Sequence, residues 1–128
     1  MNKKSLLKHL VPLMFFIFLA NHAALKFHWY FSIWYSDMFM HFLGGVWLGL
    51  FFTYVFYQED SFRKRIPAII VCAVAVGILW EVFEFVLGVI AVDQFNILDT
   101  TSDIFFDLSG GLCAILYVWK KQQIKQLK

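Results

Sequence analysis

Four long apolar stretches divide the sequence, and they constrain its fold more than any other feature. They cover about residues 10–25, 38–57, 67–92 and 103–119. A helix needs about 20 apolar residues to cross the hydrocarbon core of a bilayer, so each stretch predicts a transmembrane helix. The sequence therefore predicts one all-α integral membrane domain over residues 1–128, built as a polytopic four-helix bundle.

The composition supports a membrane protein. The chain is 61% hydrophobic and 20% aromatic, with only 16% charged residues, whereas soluble domains average about 45–50% apolar and about 25% charged residues. So many aromatic side chains cannot all be buried in a water-soluble domain of 128 residues. A disordered chain, a nucleic-acid-binding module and a typical cytosolic enzyme are thereby excluded. The expected partner is the lipid bilayer.

The basic residues predict the orientation in the membrane. Ten of the eleven Lys and Arg residues lie in the N-terminal segment, the connection between the second and third spans, or the C-terminal tail. Lys26 is the exception. Because cytoplasmic segments carry the excess of positive charge, both termini are expected in the cytoplasm.

The first span also resembles a secretory signal, since three lysines precede its apolar run. A cleavage site with small residues at both −3 and −1 is missing around residues 20–24. The first span is therefore expected to be retained as a transmembrane helix.

Seven of the nine acidic residues fall at or near the outer ends of the predicted spans. With a rise of about 1.5 Å per residue and a hydrocarbon core about 30 Å thick, Glu81 lies about 9 Å below the outer edge. The same estimate places Glu84, Asp107 and His41 about 4–6 Å below that edge. An ionisable group at this depth is costly unless it faces the bundle interior, so these residues indicate a functional polar site.

The last three spans combine these ionisable residues with glycines at helical spacing. The glycines are Gly45, Gly49, Gly77, Gly110 and Gly111. Small residues allow helix backbones to approach closely in lipid. We therefore predict that these glycines lie at helix contacts around one pocket that opens to the outside.

One imidazole and several carboxylates are predicted to line this pocket. The predicted metal or proton site consists of His41, Glu81, Glu84, Asp103 and Asp107. The donor set suits a divalent cation (Mg²⁺, Mn²⁺, Ca²⁺ or Zn²⁺) or shared protons. Two carboxylates within one helical turn repel each other unless a cation or proton bridges them, which favours a functional role for Glu81 and Glu84.

Two further aspartates are expected at the edge of the site. Asp37 lies one turn before His41 and is expected to orient its imidazole. Asp99 is expected near the mouth, as a ligand or as a cap of the fourth helix, a position that Thr101 could also fill. Structural alternatives remain open for Asp103, as a first-turn acid, and for the Asp37–His41 pair, as a hydrogen bond.

Three short motifs occur together in the second to fourth spans. They are His41-Phe42-Leu43-Gly44-Gly45, Trp80-Glu81-Val82-Phe83-Glu84-Phe85, and Asp-Thr-x-x-Asp-x-x-x-Asp-x-x-Gly-Gly from Asp99 to Gly111. In these motifs the chain resembles the YjdF-like family of small bacterial inner-membrane proteins and, more distantly, the VanZ-like proteins. The resemblance implies a multi-pass protein of the bacterial cytoplasmic membrane that works in the cell envelope.

The function expected from these features is binding of a cation, and with it of a lipid or lipid-linked headgroup. Metal-assisted hydrolysis or transfer on a lipid-linked substrate is one reaction that such a site supports. A proton- or ion-coupled transporter or exporter is the alternative, although few polar residues continue the site toward the inner ends of the spans. A structural or assembly subunit, whose acids hydrogen-bond a partner helix, is a third interpretation.

Overall fold

A computed structural model describes residues 1–57, 62–91 and 96–127, and these residues are almost entirely helical. The elements are α1 (Lys3–Lys26), α2 (Trp29–Ser32), α3 (Ser36–Val55), a 3₁₀ turn (Arg63–Arg65), α4 (Ile66–Ala91) and α5 (Ile97–Gln126). Helices α1, α3, α4 and α5 are long and apolar enough to cross a membrane. The predicted all-α architecture with four membrane-spanning helices is confirmed.

Helices α1 and α5 extend well beyond the apolar stretches from which they are predicted, whereas α3 begins two residues earlier and ends at Val55, two residues before the predicted end of its span. Helix α1 begins at Lys3, where the side chain of Asn2 accepts a hydrogen bond from the Ser5 backbone N–H at 2.8 Å. Pro12 therefore lies inside α1 and not in its first turn. Apolar composition marks only the residues within hydrocarbon, whereas helical hydrogen bonding continues through the polar interface. The predicted end of the third span, Val92, lies outside the described residues.

Helix α5 begins at Ile97, well before the predicted start of the fourth span. Its cap is Asn96, whose side chain accepts a hydrogen bond from the Leu98 backbone N–H at 3.1 Å. A cap at Asp99 or Thr101 is therefore wrong, because both residues already lie inside the helix. Asn96, Asp99 and Thr101 could each cap a helix by residue type, and the course of the backbone determines that Asn96 does so.

The early start of α5 changes the setting of Asp103. Asp99 is the acid in the first turn of the helix, and Asp103 lies one turn later. The interpretation of Asp103 as a first-turn acid is therefore wrong, and helix-terminal charge does not explain it. Asp103 is 3% exposed, so its setting is a buried helix interface.

Helices α3 and α5 form the most extensive helix contact among the described residues. A Cβ on Gly45 would overlap the backbone carbonyl of Asp107, and a Cβ on Gly110 would overlap the backbone carbonyl of Phe42. The two backbones are thus in direct contact, and any larger side chain at either glycine would separate them. This contact sets the relative position of the side chains that α3 and α5 carry at their N-terminal ends, away from the two chain termini.

Apolar packing fills the half of the bundle that carries the two termini. A Cβ on Gly49 would lie 2.8 Å from the Cβ of Ala114, and one on Gly111 would lie 3.6 Å from the Gly45 carbonyl. Beyond them lies a buried core formed by Leu6, Leu10, Leu50, Phe62, Ile69, Ala114, Ile115 and Val118. The polar residues buried at the opposite end therefore form a separate layer.

Candidate functional site

The imidazole of His41 is the centre of this polar layer. His41 is 7% exposed, and both of its ring nitrogens face carboxylates. Its Nδ1 lies 3.4 Å from Asp107 Oδ1, while its Nε2 lies 3.8 Å from Asp37 Oδ1 and 4.0 Å from Asp103 Oδ1. Three carboxylates from two helices therefore share one imidazole.

Helical spacing and close packing bring these four side chains together. Asp37 precedes His41 by four residues on α3, and Asp103 precedes Asp107 by four residues on α5. Residues four apart lie on the same face of a helix, so each helix presents a pair. The backbone contact at Gly45, one turn after His41, then places the α5 pair directly opposite the α3 pair.

Helix α4 supplies the third side of the site. A Cβ on Gly77 would lie 2.8 Å from Asp107 Oδ2, so this glycine leaves space for the Asp107 carboxylate. One turn further along α4, Glu81 is 8% exposed, and its carboxylate lies near the side chain of Thr100 at the start of α5. Gly77 and Glu81 therefore both face α5, as their spacing predicts.

Glu84 lies at the open edge of the site. It is exposed, and its Oε1 accepts a hydrogen bond from Trp80 Nε1 at 2.8 Å. The two glutamates thus differ in burial although they lie within one turn of each other. Glu84 can be reached from outside the bundle, whereas Glu81 is enclosed.

Two groups of potential ligand atoms share His41. Asp37 and Asp103 join it in one group, and Glu81 and Glu84 join it in the other. Within each group the ligand atoms lie within 4.8 Å of one another. Zn²⁺ and Ca²⁺ bind nitrogen and oxygen ligands at about 2.0–2.6 Å, so two ligands of one ion lie up to about 4–5 Å apart. Each group is close to the size that a single cation requires.

Two carboxylate oxygens of the site are buried without a hydrogen bond. They are Glu81 Oε1 and Asp103 Oδ1, and neither has a hydrogen-bond partner among the described residues. A buried polar atom without a partner costs about 1–3 kcal/mol, and more when it is charged. The protein thus presents buried acceptor atoms to the space around His41, where a cation or a proton would satisfy them.

The structure also places the other aspartates relative to His41. Asp37, expected to orient the imidazole, lies 3.8 Å from its Nε2 and also offers an oxygen to a potential ligand group. Asp107, expected as a ligand, faces the other ring nitrogen and belongs to neither group found among the described residues. Asp99 is exposed and lies at the edge of the site.

One polar side chain at the edge of the site, that of Tyr30, was not predicted from the sequence. Tyr30 belongs to an aromatic stretch that suggests only an interfacial position, yet its hydroxyl donates a hydrogen bond to Asn21. Burial, together with the nearby carboxylates of Asp37 and Glu84, raises the pKa of Tyr30 above its ordinary value. The spacing of residues does not identify Tyr30 as part of the site, because Tyr30 lies in the short helix α2 between α1 and α3.

Comparison with known proteins finds relatives in sequence. Residues 1–123 match the sequence model of a family described as "Predicted membrane protein (DUF2238)". A Thermotoga maritima protein described as "Uncharacterized protein" is 28% identical over 113 residues, which are 83% of this chain and 59% of that protein. The chain thus spans less than two thirds of the length of this relative. No solved structure matches the chain.

Proposed function

We propose that this chain, which belongs to the DUF2238 family of predicted membrane proteins, binds a divalent cation at His41 within the outer half of the bilayer. The cation in turn holds the phosphate headgroup of a lipid or lipid-linked molecule. The YjdF-like and VanZ-like motifs support the further proposal that the protein lies in the bacterial cytoplasmic membrane and serves the cell envelope.

The observation that carries this proposal is the buried Oδ1 of Asp103, which accepts no hydrogen bond; the residue is 3% exposed and shares a ligand group with His41. Burying a carboxylate away from water costs several kcal/mol unless a counter-charge compensates it. One imidazole cannot neutralise the several carboxylates around it. A divalent cation would add two positive charges and bind the Asp103 oxygen that accepts no hydrogen bond.

The donor types narrow the choice of cation. Mg²⁺ and Ca²⁺ are bound mainly by oxygen ligands, whereas imidazole nitrogen suits transition metals and zinc. The mixture of His41 with carboxylates therefore favours Mn²⁺ or Zn²⁺. Both ions can bind phosphate and activate a water molecule, as metal-assisted hydrolysis requires.

A headgroup ligand fits the one-sided exposure of the site. Glu84 is exposed and Asp37 is partly exposed, so the cluster can be reached from the outer end of the bundle. Toward the termini the bundle is closed by the apolar core. A transporter needs a polar path across the membrane, and this core supports a binding site in preference to such a path.

The proposed orientation can be tested by labelling. In a background with Cys72→Ala and Cys113→Ala, a membrane-impermeant maleimide should label Phe31→Cys in intact cells. It should label Lys125→Cys only after the cells are lysed, because the basic segments are expected in the cytoplasm. Labelling of Lys125→Cys in intact cells would contradict the proposed topology.

The cation proposal is tested by elemental analysis of the purified protein after incubation with Mn²⁺ or Zn²⁺ and removal of the excess. The wild type should retain stoichiometric metal, and Asp103→Asn should lose it. Asp99→Asn is the matched control, because it makes the same change one turn earlier on α5 at an exposed residue. Equal retention by wild type and Asp103→Asn, or a metal-free wild type, would refute the proposal.

A further inference from the structure

The structure has a groove that is not lined by the ionisable residues of the His41 site. It has a volume of about 540 Å³, lies between α1, α3 and α5, and extends from Phe42, next to His41 in sequence, to Lys8 and Tyr117 near the ends that carry the termini. Apolar residues form most of its walls, among them Pro12, Leu13, Val46, Leu50 and Ala114. Its volume lies within the range of about 300–1,000 Å³ that is typical of small-molecule sites. The walls suit a hydrocarbon chain.

The end of the groove nearest the termini is polar. His9 lines it, and its Nδ1 lies 2.6 Å from the carbonyl oxygen of Ser5. A carbonyl accepts only, so Nδ1 donates to it, and in the neutral imidazole Nε2 accepts. The Tyr117 hydroxyl lies 3.0 Å from Nε2, and this hydrogen bond links α1 to α5 across the groove.

Two lysines add positive charge at this link. Lys8 lines the groove beside His9. Lys121 does not line the groove; it lies one turn after Tyr117 on α5, and its Nζ lies over the ring of Tyr117 at 4.8 Å from the centroid. The hydrogen bond between Tyr117 and His9 therefore brings Lys121 near the groove. The apolar groove ends in a mouth at Lys8 of α1, with Lys121 of α5 beyond Tyr117.

We propose that this groove binds an anionic glycerophospholipid of the cytoplasmic leaflet. One acyl chain lies along the apolar walls, and the phosphate lies between Lys8 and Lys121. The charge of the mouth is complementary to a phosphodiester, and basic pockets between transmembrane helices are a known way to hold anionic headgroups. In the orientation proposed above, with both termini in the cytoplasm, the mouth of the groove lies at the level of the headgroups of the inner leaflet. This site is independent of the cation site at His41.

Native mass spectrometry of the full chain tests the proposal. The protein, delipidated in detergent, is titrated with phosphatidylglycerol or with phosphatidylcholine of the same acyl chains. We expect one phosphatidylglycerol to be retained in preference to phosphatidylcholine. Because each lysine near a lipid phosphate contributes about a fivefold effect, Lys8→Gln combined with Lys121→Gln should weaken phosphatidylglycerol binding about 30-fold. Lys4→Gln combined with Lys64→Gln, two exposed lysines of the same side, is the matched control.

A bulky side chain in the groove tests the position of the acyl chain. Cys113 is exposed and lines the groove, so Cys113→Trp should fill it and abolish lipid retention. Equal retention of both lipids, or an equal loss in the two lysine pairs, would overturn the proposal. Retention that Cys113→Trp leaves unchanged in a folded protein would overturn it as well. Lys8 and Lys121 are both exposed, so the charge variants remain informative even if Cys113→Trp does not fold.

Discussion

In the metal-free protein, replacing His41 with alanine should lower the free energy of unfolding by about 3–5 kcal/mol, because removing one partner of a buried ion pair leaves the others without a counter-charge. Here the residues left behind are Asp103 and Asp107, which are 3% and 9% exposed. Denaturant unfolding of the purified protein in detergent measures the change. His22→Ala is the control, since His22 is exposed on α1 and should tolerate the change.

The same variant should lose its response to metal. At a cation concentration of 100 times the Kd, a bound ion stabilises the folded protein by about 2.7 kcal/mol. Wild type and His22→Ala should therefore show a higher Tm with Mn²⁺ or Zn²⁺ than with a chelator, and His41→Ala should show the same Tm in both. A metal-dependent rise in Tm that persists in His41→Ala would place the cation elsewhere.

Replacing Gly45 with alanine should cost about 2–3 kcal/mol of stability, at the upper end of the usual range for overpacking. The added methyl group would overlap the backbone carbonyl of Asp107, and a backbone cannot move aside as a flexible side chain can. Helices α3 and α5 would have to separate. Since that movement also carries Asp107 away from His41, metal retention should fall in parallel.

Gly44→Ala provides the matched control for this substitution. The nearest atom to a Cβ on Gly44 is Asp107 Oδ1 at 3.9 Å, an ordinary van der Waals contact. Alanine is favoured over glycine inside a helix by about 1 kcal/mol, so this variant should be as stable as the wild type or more stable. Comparison of the two Tm values measures the helix contact directly. Equal values would show that the α3–α5 contact does not limit stability.

Much of the architecture could be predicted from the sequence. Apolar stretches long enough to cross a bilayer leave few alternatives to helices, because lipid offers no partner for an unpaired backbone group. The same reasoning selects the residues of the site. An ionisable residue such as Glu81 or Asp107 inside an apolar stretch has to face the bundle interior. Spacing of four residues then places His41 with Asp37, and Asp103 with Asp107, on common faces.

The tertiary structure decided which neighbour each of these side chains faces. Spacing along a helix determines the face that a residue occupies, but it does not determine how two helices are rotated and shifted against each other. The overlap of a Cβ at Gly45 with the Asp107 backbone shows what sets that relation here. It brings Asp107 to one ring nitrogen of His41 and leaves Asp37 at the other.

The ends of the helices were also decided by the tertiary structure. Hydropathy shows only where the hydrocarbon core begins, so it places the start of the fourth span near Asp103. The backbone is already helical at Ile97. That added length brings Thr100 to the Glu81 carboxylate. Residue types and periods thus determine that this chain is a four-helix membrane protein with a buried acidic layer. Backbone contact at its glycines determines the geometry of that layer, because two helices can approach only as far as their smallest side chains allow.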